Sequence, residues 1–483
     1  MALHRRQFIT GVAAAAAVAG FDPVAGRWLS VAQARRGRHD EIPSLEGELI
    51  TDDATLEDYS TDAGNHVFGT PNAVLRPASA QDIAAMIRYC VKHRSEIAAR
   101  GEAHSTHGQS LATLMIDMST LSTIHSIDQG EAVVDAGATW KDLLAASLPH
   151  GLTPPVLTGF IGLSLGGTLS MGGISSGYDR GAQVDHVLEL EVVTGLGEIV
   201  TCSDTRNSQL FNAVLGGLGQ FGIITRAVVE LVPAMPRAVT YQLIYFDDAS
   251  MFEDLWKLLR RNEFDDVFNM WVPGGPNGFM SVLNAVKYYD PSSPPDEAHL
   301  LRDLQHVAPA MQTVDDTYHD YALRVDHAVD QFKAMGAWDN VMHPWFDVFL
   351  PGRTVERYVS EVMPTLTPED VGAAGFFLLF PQRRSRFTRP SFRLPDDEWI
   401  FLFNILTARS VPGYDSAFAT RMMTRNRDLF DLAKRHGGVR YPIGSLDFHR
   451  RDWVHHYGRR LPAHTVLKAR FDPRKILTPG LDI

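Results

Sequence analysis

His104 lies in a run of mostly small residues where this sequence could do chemistry. The run, residues 99–109, follows a predicted strand at residues 96–99. Gly101 permits a tight turn, and small side chains let backbone approach a ligand closely. Because backbone N–H groups gathered in such a turn bind anions, the pattern predicts a pyrophosphate loop holding one nucleophilic imidazole. The alternative from the residues alone is a buried histidine in a turn.

Two further segments are rich in glycine. Residues 165–177 combine Gly and Ser, which is typical of backbone that approaches a ligand. Residues 217–222 match the dinucleotide fingerprint Gly-X-Gly-X-X-Gly letter for letter. That fingerprint must follow a strand and open a helix, but here a predicted helix at 208–215 precedes it and a predicted strand at 223–229 follows. This order argues against a nicotinamide-dinucleotide site.

The elements that position these segments alternate between strand and helix patterns. The first part of the chain has predicted strands at 73–77, 132–138, 187–194 and 198–201, and predicted helices at 79–93 and 139–148. From residue 240 aromatic strands alternate with amphipathic helices. One of these helices, residues 416–436, ends at Gly437 and Gly438, a recognised helix stop. The length of 483 residues favours at least two domains.

These motifs together resemble the vanillyl-alcohol oxidase (PCMH-type) flavoprotein superfamily, above all the cytokinin dehydrogenases. Residues 99–109 look like the flavin-attachment loop of that family. Four other segments look like its glycine-rich stretches, its His-Pro-Trp strand and its closing motif: 166–175, 215–227, 343–351 and 471–480. The resemblance covers nearly all of residues 50–483.

The resemblance implies an α+β protein of two domains. A PCMH-type FAD-binding domain would occupy residues 35–239, and an α+β substrate-binding cap would occupy residues 240–445. The C-terminal segment, residues 446–483, would return to the FAD domain. This arrangement places the cofactor between the two parts of the chain.

The same resemblance implies FAD bonded covalently through His104, with Ala103 in place of the family's preceding Gly. The other residues that would line the flavin are Ala99, Gly101, Ser105, Gln109, Ser164, Ser170, Ile174, Ile224, Tyr441 and Thr478. No metal site is expected, because His104 and His107 have no carboxylate or thiol at ligand spacing.

A catalytic base is harder to place. In cytokinin dehydrogenases an Asp shortly before the first glycine-rich stretch takes the substrate proton, and the matching position here is Gly159. The remaining candidates are Asp347, Asp339 and His343, on or near the His-Pro-Trp strand. This departure leaves the FAD interpretation intact and weakens that of cytokinin as substrate.

The leading hypothesis is an FAD-dependent oxidoreductase that oxidises a C–N or C–O bond of a small, partly apolar molecule by hydride transfer to FAD. The alternatives are a cytokinin dehydrogenase that cleaves N6-substituted adenines, an alcohol or sugar oxidase, and a non-catalytic flavin-binding module. The electron acceptor would be oxygen or a quinone.

The N-terminus predicts export. Arg5 and Arg6 precede an apolar stretch too short to span a bilayer, so residues 1–34 are identified as a twin-arginine signal peptide cleaved after Ala34. The expected location is the periplasm or outside the cell, with no integral membrane segment after cleavage. A formal net charge of −12 argues against a nucleic-acid partner. The two cysteines, Cys90 and Cys202, predict no disulfide framework.

Overall fold

The computed structural model describes residues 18–22, 27–30, 41–274, 278–372, 374–481 and 483. Within the predicted signal peptide, strands Val18–Asp22 and Arg27–Ser30 pair antiparallel. The Trp28 ring stacks on Tyr89 at a centroid distance of 5.3 Å, a contact that cleavage after Ala34 would remove. The twin arginines and the cleavage position lie outside the described residues. Among the helices that are described, none is long and apolar enough to cross a membrane.

The predicted FAD domain begins with a four-stranded sheet that carries the His104 loop at one strand end. In spatial order its strands are Glu48–Ile50, Ala73–Arg76, Leu114–Asp117 and Ile97–Arg100, and the last three run parallel. Helix Ala80–His93 packs its buried face, including Ile83, Met86 and Cys90, into the core of this part. Cys90 and Cys202 are both free and buried.

A second sheet of five antiparallel strands completes this first part. Its spatial order is Ile199–Ser203, Val187–Thr194, Gly222–Glu230, Glu131–Asp135 and Ile124–Asp128. Three helices follow its strands along the chain: Trp140–Ser147, Leu165–Met171 and Ser208–Val214. The glycine-rich segment at 165–177 therefore begins as a helix, in which small residues allow close packing. Strand Gly222–Glu230 follows the second glycine-rich segment, in the order predicted from the sequence.

The predicted cap is built on an eight-stranded antiparallel sheet. Its strands, in spatial order, are Gln312–Thr317, Arg237–Tyr245, Phe279–Tyr289, Asp266–Pro273, Phe376–Arg383, Trp399–Leu406, Phe346–Pro351 and Val439–Arg440. The longest helices of this part are Asp248–Arg261, Arg324–Ala334, Gly352–Val362 and Ser416–Arg435. Shorter helices of the cap are Glu297–Leu300, Tyr318–Ala322 and Pro368–Val371, and helices outside the cap are Asp53–Asp58, Arg450–Tyr457 and Leu461–Phe471.

The two faces of the cap sheet have different roles. Side chains alternate between faces along a strand, so Val267 and Trp271 pack into the hydrophobic core beside the helices. Phe268 and Met270, on the opposite face, line a cavity shared with the first part of the chain. The side chains of this one strand therefore contribute alternately to the core of the cap and to the wall of the cavity.

A late segment of the chain joins the first sheet. Ile97 N–H donates to the Ile476 carbonyl at 2.9 Å, and Thr478 N–H donates to the Ile97 carbonyl at 3.0 Å. The strand that leads into the His104 loop is therefore fixed along one edge by residues 476–478.

Candidate active site

A cavity of about 720 Å³ lies between the first part of the chain and the cap sheet. This volume is within the range of roughly 300–1,000 Å³ found for ligand and cofactor sites. The structure brings to its wall all twelve residues that the resemblance assigned to the cofactor: Ala99, Gly101, Ala103, His104, Ser105, Gln109, Ser164, Ser170, Ile174, Ile224, Tyr441 and Thr478. One cavity thus collects residues from both parts of the chain.

The His104 imidazole is surrounded by aromatic rings. Phe160 stacks on it at 5.0 Å, and Trp345 meets it edge-on at 5.1 Å between ring centroids. Burial, together with the nearby His343 imidazole, lowers the pKa of His104 to about 4. The ring is therefore neutral at pH 7 and keeps the nitrogen lone pair that a bond to an electrophilic carbon requires.

The turn that presents His104 is tight. A Cβ at Gly101 would lie 2.8 Å from the Ser164 Cβ, so only glycine fits there without displacing the neighbouring segment. Ala103 has φ of +51°, in the left-handed region that favours glycine. The chain thus keeps a strained alanine immediately before His104.

Replacing Ala103 by glycine is expected to stabilise the folded protein. An L-residue in the left-handed region costs about 1 kcal/mol or more, and glycine removes that steric cost while adding backbone entropy to the unfolded chain. We expect the free energy of unfolding to rise by about 0.5–1 kcal/mol, measured by denaturant titration at equal flavin content. Ala99→Gly, in strand Ile97–Arg100, is the matched control and should lower stability. An equal decrease in both variants would contradict the assignment of strain to position 103.

The Asp62 carboxylate stabilises the His104 loop by hydrogen bonds. One carboxylate oxygen accepts from Gly64 N–H at 3.0 Å, and the other accepts from Ser105 Oγ at 3.0 Å and Gly108 N–H at 2.7 Å. The side chain is buried, and burial raises the pKa of the carboxyl to about 6. Sequence reasoning missed this residue, since nothing in its neighbourhood marks it as a partner of a loop forty residues later.

Gln109 connects the loop to the cap. Its amide oxygen accepts from His107 N–H at 2.7 Å, and its amide nitrogen donates to the Ile443 carbonyl at 2.9 Å. These bonds join residues separated by 334 positions in sequence. Gln109 borders the cavity, yet its amide is used to position the loop against residues 442–444.

The glycine-rich segments form a cradle of close backbone approach. A Cβ at Gly166 would lie 2.9 Å from the Ala136 Cβ, and one at Gly219 would lie 2.6 Å from Thr478 Oγ1. Both glycines border the cavity. At these positions the cavity wall consists of backbone and small side chains. Such a wall suits a large planar cofactor that lies directly against the backbone.

The three candidates for a catalytic base are in different environments. Asp339 is exposed and is not among the residues that line the cavity. His343 lies on the wall, with Nε2 3.0 Å from the Trp338 carbonyl oxygen and a pKa lowered by burial. Asp347 is buried on the same wall and accepts a hydrogen bond from the Asn404 amide. Asp339 therefore lies outside the cavity, whereas His343 and Asp347 line it.

Comparison with known proteins identifies the family to which this chain is similar. Residues 71–203 match the FAD binding domain family, and residues 265–483 match the family described as cytokinin dehydrogenase 1, FAD and cytokinin binding. An uncharacterized oxidoreductase in the fasciation locus of Rhodococcoides fascians is 34% identical over 439 residues, covering 90% of this chain and 99% of that protein. Cytokinin dehydrogenase 3 of Oryza sativa subsp. japonica is 33% identical over 486 residues, covering 89% and 90%. Cytokinin dehydrogenase 2 of Arabidopsis thaliana is 29% identical over 499 residues, covering 94% and 97%.

The chain belongs to the cytokinin dehydrogenase family of FAD-linked oxidoreductases. The predicted two-domain PCMH-type fold, the FAD cofactor and the oxidoreductase class are thereby confirmed. Because the related proteins are enzymes of this class, the alternative of a non-catalytic flavin-binding module is set aside.

Gly159 is a departure from the cytokinin dehydrogenase pattern, and the structure shows space around it. The residue lines the cavity, and a Cβ built there would meet only Val325 Cγ2, at 3.6 Å, among the described residues. The first atom of a side chain could therefore be accommodated at this position, but the chain supplies no carboxylate here.

Several cavity residues were not predicted from the sequence. The aromatic group Phe160, Phe332, Trp338 and Trp345 gathers near His104, and Asn404 faces the cavity from the cap sheet. Trp345 was signalled by the His-Pro-Trp motif. The others required the sheet register and the path of helix Arg324–Ala334.

Proposed function

We propose that this chain oxidises a C–N or C–O bond of a small, partly apolar molecule, with FAD attached covalently to His104. The observation that carries the proposal is a neutral imidazole in the cavity wall, enclosed by aromatic rings. Bound there, the cofactor supplies a two-electron acceptor for a hydride from the substrate carbon. Asp62 and Gln109 hold the loop that fixes the attachment point.

The cap wall favours an apolar portion of the substrate. Five large hydrophobic side chains of two adjacent strands face the cavity: Phe376, Leu378, Phe380, Leu402 and Leu406. Burial of an apolar group against such a wall contributes about 25 cal/mol per Å² removed from water. Polar side chains also line the cavity from the cap, including Asn284 and Gln242.

The experiment is a screen of flavin reduction in the purified protein. Amines, primary alcohols, sugars and N6-alkyl adenines are added without oxygen, and bleaching of the oxidised flavin absorbance is followed. Reduction by an apolar amine or alcohol supports the proposal. Reduction by sugars alone would replace it with a sugar oxidase, and a flavin that stays oxidised with every class would contradict it.

A cytokinin dehydrogenase is the second candidate. The match of residues 265–483 to the FAD and cytokinin binding family favours it, whereas Gly159 removes the carboxylate that the family resemblance assigns to proton abstraction. Selective reduction by N6-substituted adenines in the same screen would decide for this candidate.

Export and the final electron acceptor complete the proposal. Arg5 and Arg6 followed by an apolar stretch support twin-arginine export to the periplasm or beyond, with cleavage after Ala34. Fractionation of cells that express the full chain, compared with cells that express Arg5→Lys/Arg6→Lys, tests the location.

Oxygen or a quinone would then reoxidise the flavin. The rates of flavin reoxidation with oxygen and with a soluble quinone test the acceptor.

A further inference from the structure

Two arginines border the cavity among the described residues, and they belong to different parts of the chain. Arg100 lies in the first part, where its guanidinium donates to the Thr61 carbonyl at 2.8 Å and to the Asp58 carbonyl at 3.4 Å. Arg324 lies in the predicted cap, as the first residue of helix Arg324–Ala334. Within the described part of the chain, Arg324 is the one arginine or lysine that the cap contributes to this wall.

The Arg324 guanidinium is held in place but has no acidic partner. Its Nη1 donates to the Tyr321 carbonyl at 2.8 Å, and its central carbon lies 4.0 Å from the centroid of the Tyr321 ring and 5.7 Å from that of Phe268. Elsewhere in the cap Arg409 pairs with Asp415 at 2.7 Å, whereas Arg324 forms no ion pair with a described residue. A guanidinium carries five N–H donors, so the half-buried Arg324 keeps donors for a ligand.

Arg324 also borders a second, smaller cavity, here called the recess. The recess has a volume of about 20 Å³ and shares Thr158, Tyr321 and Arg324 with the larger cavity. Ser176 and Arg180 are among its other polar residues. A volume of about 10–15 Å³ is enough for one water molecule, so the recess offers space for a small polar group beside the guanidinium.

The carboxylates that border these two spaces form no ion pair with Arg324 within the described part of the chain. Asp266 Oδ2, in the recess, accepts from the Tyr288 and Tyr321 phenols at 2.7 and 2.6 Å. The carboxylates that line the larger cavity lie beyond the 4.0 Å N···O distance of an ion pair with this guanidinium: Glu102, Asp316 and Asp347. Charged groups taken out of water are usually paired, so an anion that enters the cavity would supply the missing contact.

The start of the helix that carries Arg324 is fixed near the flavin-attachment residue. Asp326 Oδ2 accepts from Ile161 N–H at 3.0 Å. Phe160, the preceding residue of the same segment, stacks on the His104 ring at 5.0 Å. Arg324, Phe160 and His104 all line the one cavity. A group bound by the guanidinium therefore shares that cavity with the attachment histidine.

We propose that Arg324 binds a carboxylate group of the substrate, so that the substrate is an amine or alcohol with both an apolar portion and a carboxylate. The inference deepens the proposed function and rests on it. Guanidinium and carboxylate form two parallel N–H···O bonds, and the Tyr321 and Phe268 rings fix the position of the guanidinium. The apolar portion then lies against strands Phe376–Arg383 and Trp399–Leu406. N-substituted amino acids and hydroxy acids have this chemistry.

The carboxylate in this proposal binds and is not itself changed. The C–H bond next to the nitrogen or oxygen breaks, and its hydride, with the electron pair, passes to FAD. The N–H or O–H proton leaves to solvent, and a C=N or C=O bond forms. The substrate carbon is therefore oxidised by two electrons and FAD is reduced by two, while Arg324 sets which molecules are bound.

The first test is binding without turnover. Phenylacetate and phenylacetamide have nearly the same shape, but the first carries a carboxylate and the second a neutral amide. Each is titrated into the oxidised holoenzyme and followed by calorimetry. We expect phenylacetate to bind about 10–100-fold more tightly, the usual effect of a hydrogen-bonded charge. Equal affinities for the two compounds would overturn the proposal.

Two variants assign this preference to one side chain. Arg324→Gln removes the charge and should bring the two affinities together. Arg353→Gln is the matched control, because Arg353 lies near the start of another cap helix, has a 59% exposed side chain and does not line the cavity. It should keep the wild-type preference for phenylacetate.

A conservative variant guards against loss of folding. Arg324→Lys keeps the charge but not the paired donor geometry of a guanidinium, so its preference for phenylacetate should fall below that of wild type. This variant decides the matter where Arg324→Gln fails to retain flavin. An unchanged preference in either Arg324 variant would overturn the assignment.

The second test uses turnover and separates this proposal from the proposed function. N-benzylglycine and its neutral amide, N-benzylglycinamide, are mixed anaerobically with wild type and Arg324→Gln. For N-benzylglycine, the variant should need about 10–100-fold more substrate for half-maximal flavin reduction, with little change in the limiting rate. Flavin that neither compound nor the wider screen reduces would contradict the proposed function, while the phenylacetate titration would still judge Arg324.

Discussion

His104→Ala is expected to abolish covalent attachment of the flavin completely. The imidazole is neutral because burial lowers its pKa to about 4, and alanine offers no nitrogen to bond to the cofactor. The measurement is flavin fluorescence of the protein band after denaturation and gel electrophoresis. The wild-type band should fluoresce and the variant band should be dark, while the native variant should still hold FAD because the rest of the cradle is unchanged.

His107→Ala is the matched control, because it removes a second imidazole from the same loop. His107 Nε2 lies 2.9 Å from an oxygen of Asp447, and His107 is not among the described residues that line the cavity. Its band should remain fluorescent. A dark band in His107→Ala and a bright one in His104→Ala would move the attachment to position 107. Flavin released from wild type by denaturation would refute covalent attachment and leave FAD as a dissociable cofactor.

Gly159→Asp is expected to raise the turnover of N6-isopentenyladenine by about 100-fold or more, the usual contribution of a positioned general base. The position borders the cavity, and a Cβ there meets Val325 Cγ2 at an ordinary 3.6 Å. The Cβ of the new side chain therefore meets no steric obstacle, and the carboxylate is introduced at the position where the family resemblance places one. The measurement is the second-order rate of flavin reduction by the adenine.

Gly159→Asn distinguishes basicity from shape in this experiment. Its side chain has nearly the same size but does not accept a proton at neutral pH. We expect no gain with Asn. A similar gain in both variants would show that added bulk orients the adenine, and no gain in either would mean that the cavity does not present the N–H of an adenine to position 159.

The sequence was most informative where function depends on local backbone geometry. The small residues of the loop after strand Ile97–Arg100 are visible in the sequence, and the structure gives the reason at Gly101, which packs directly against Ser164. The order of helix Ser208–Val214, glycine-rich turn and strand Gly222–Glu230 also follows from local patterns, and it was sufficient to argue against a nicotinamide site.

The sequence was least informative where partners are distant along the chain. Asp62 becomes a loop anchor only through contacts with Ser105 and Gly108. Asn404 becomes the partner of Asp347 only because strands Trp399–Leu406 and Phe346–Pro351 pair in one particular register. A shift of one residue would turn the amide to the opposite face of the sheet, and no feature of either strand alone specifies that register.

Burial likewise separated candidates that the sequence had left equivalent. Asp339 and Asp347 are both carboxylates beside the His-Pro-Trp motif, yet one is exposed and the other is 3% exposed. Strand Phe346–Pro351 is buried on both faces, between its neighbours in the cap sheet, whereas Asp339 lies in the segment before the strand.

The edge contact between residues 476–478 and strand Ile97–Arg100 has a consequence for biosynthesis. A ribosome makes the His104 loop early, but the loop lacks its supports until Ile443, Ile476 and Thr478 have emerged and folded back onto it. A polypeptide interrupted before residue 476 has an incomplete cradle, so we expect stable flavin binding only after translation has passed this point.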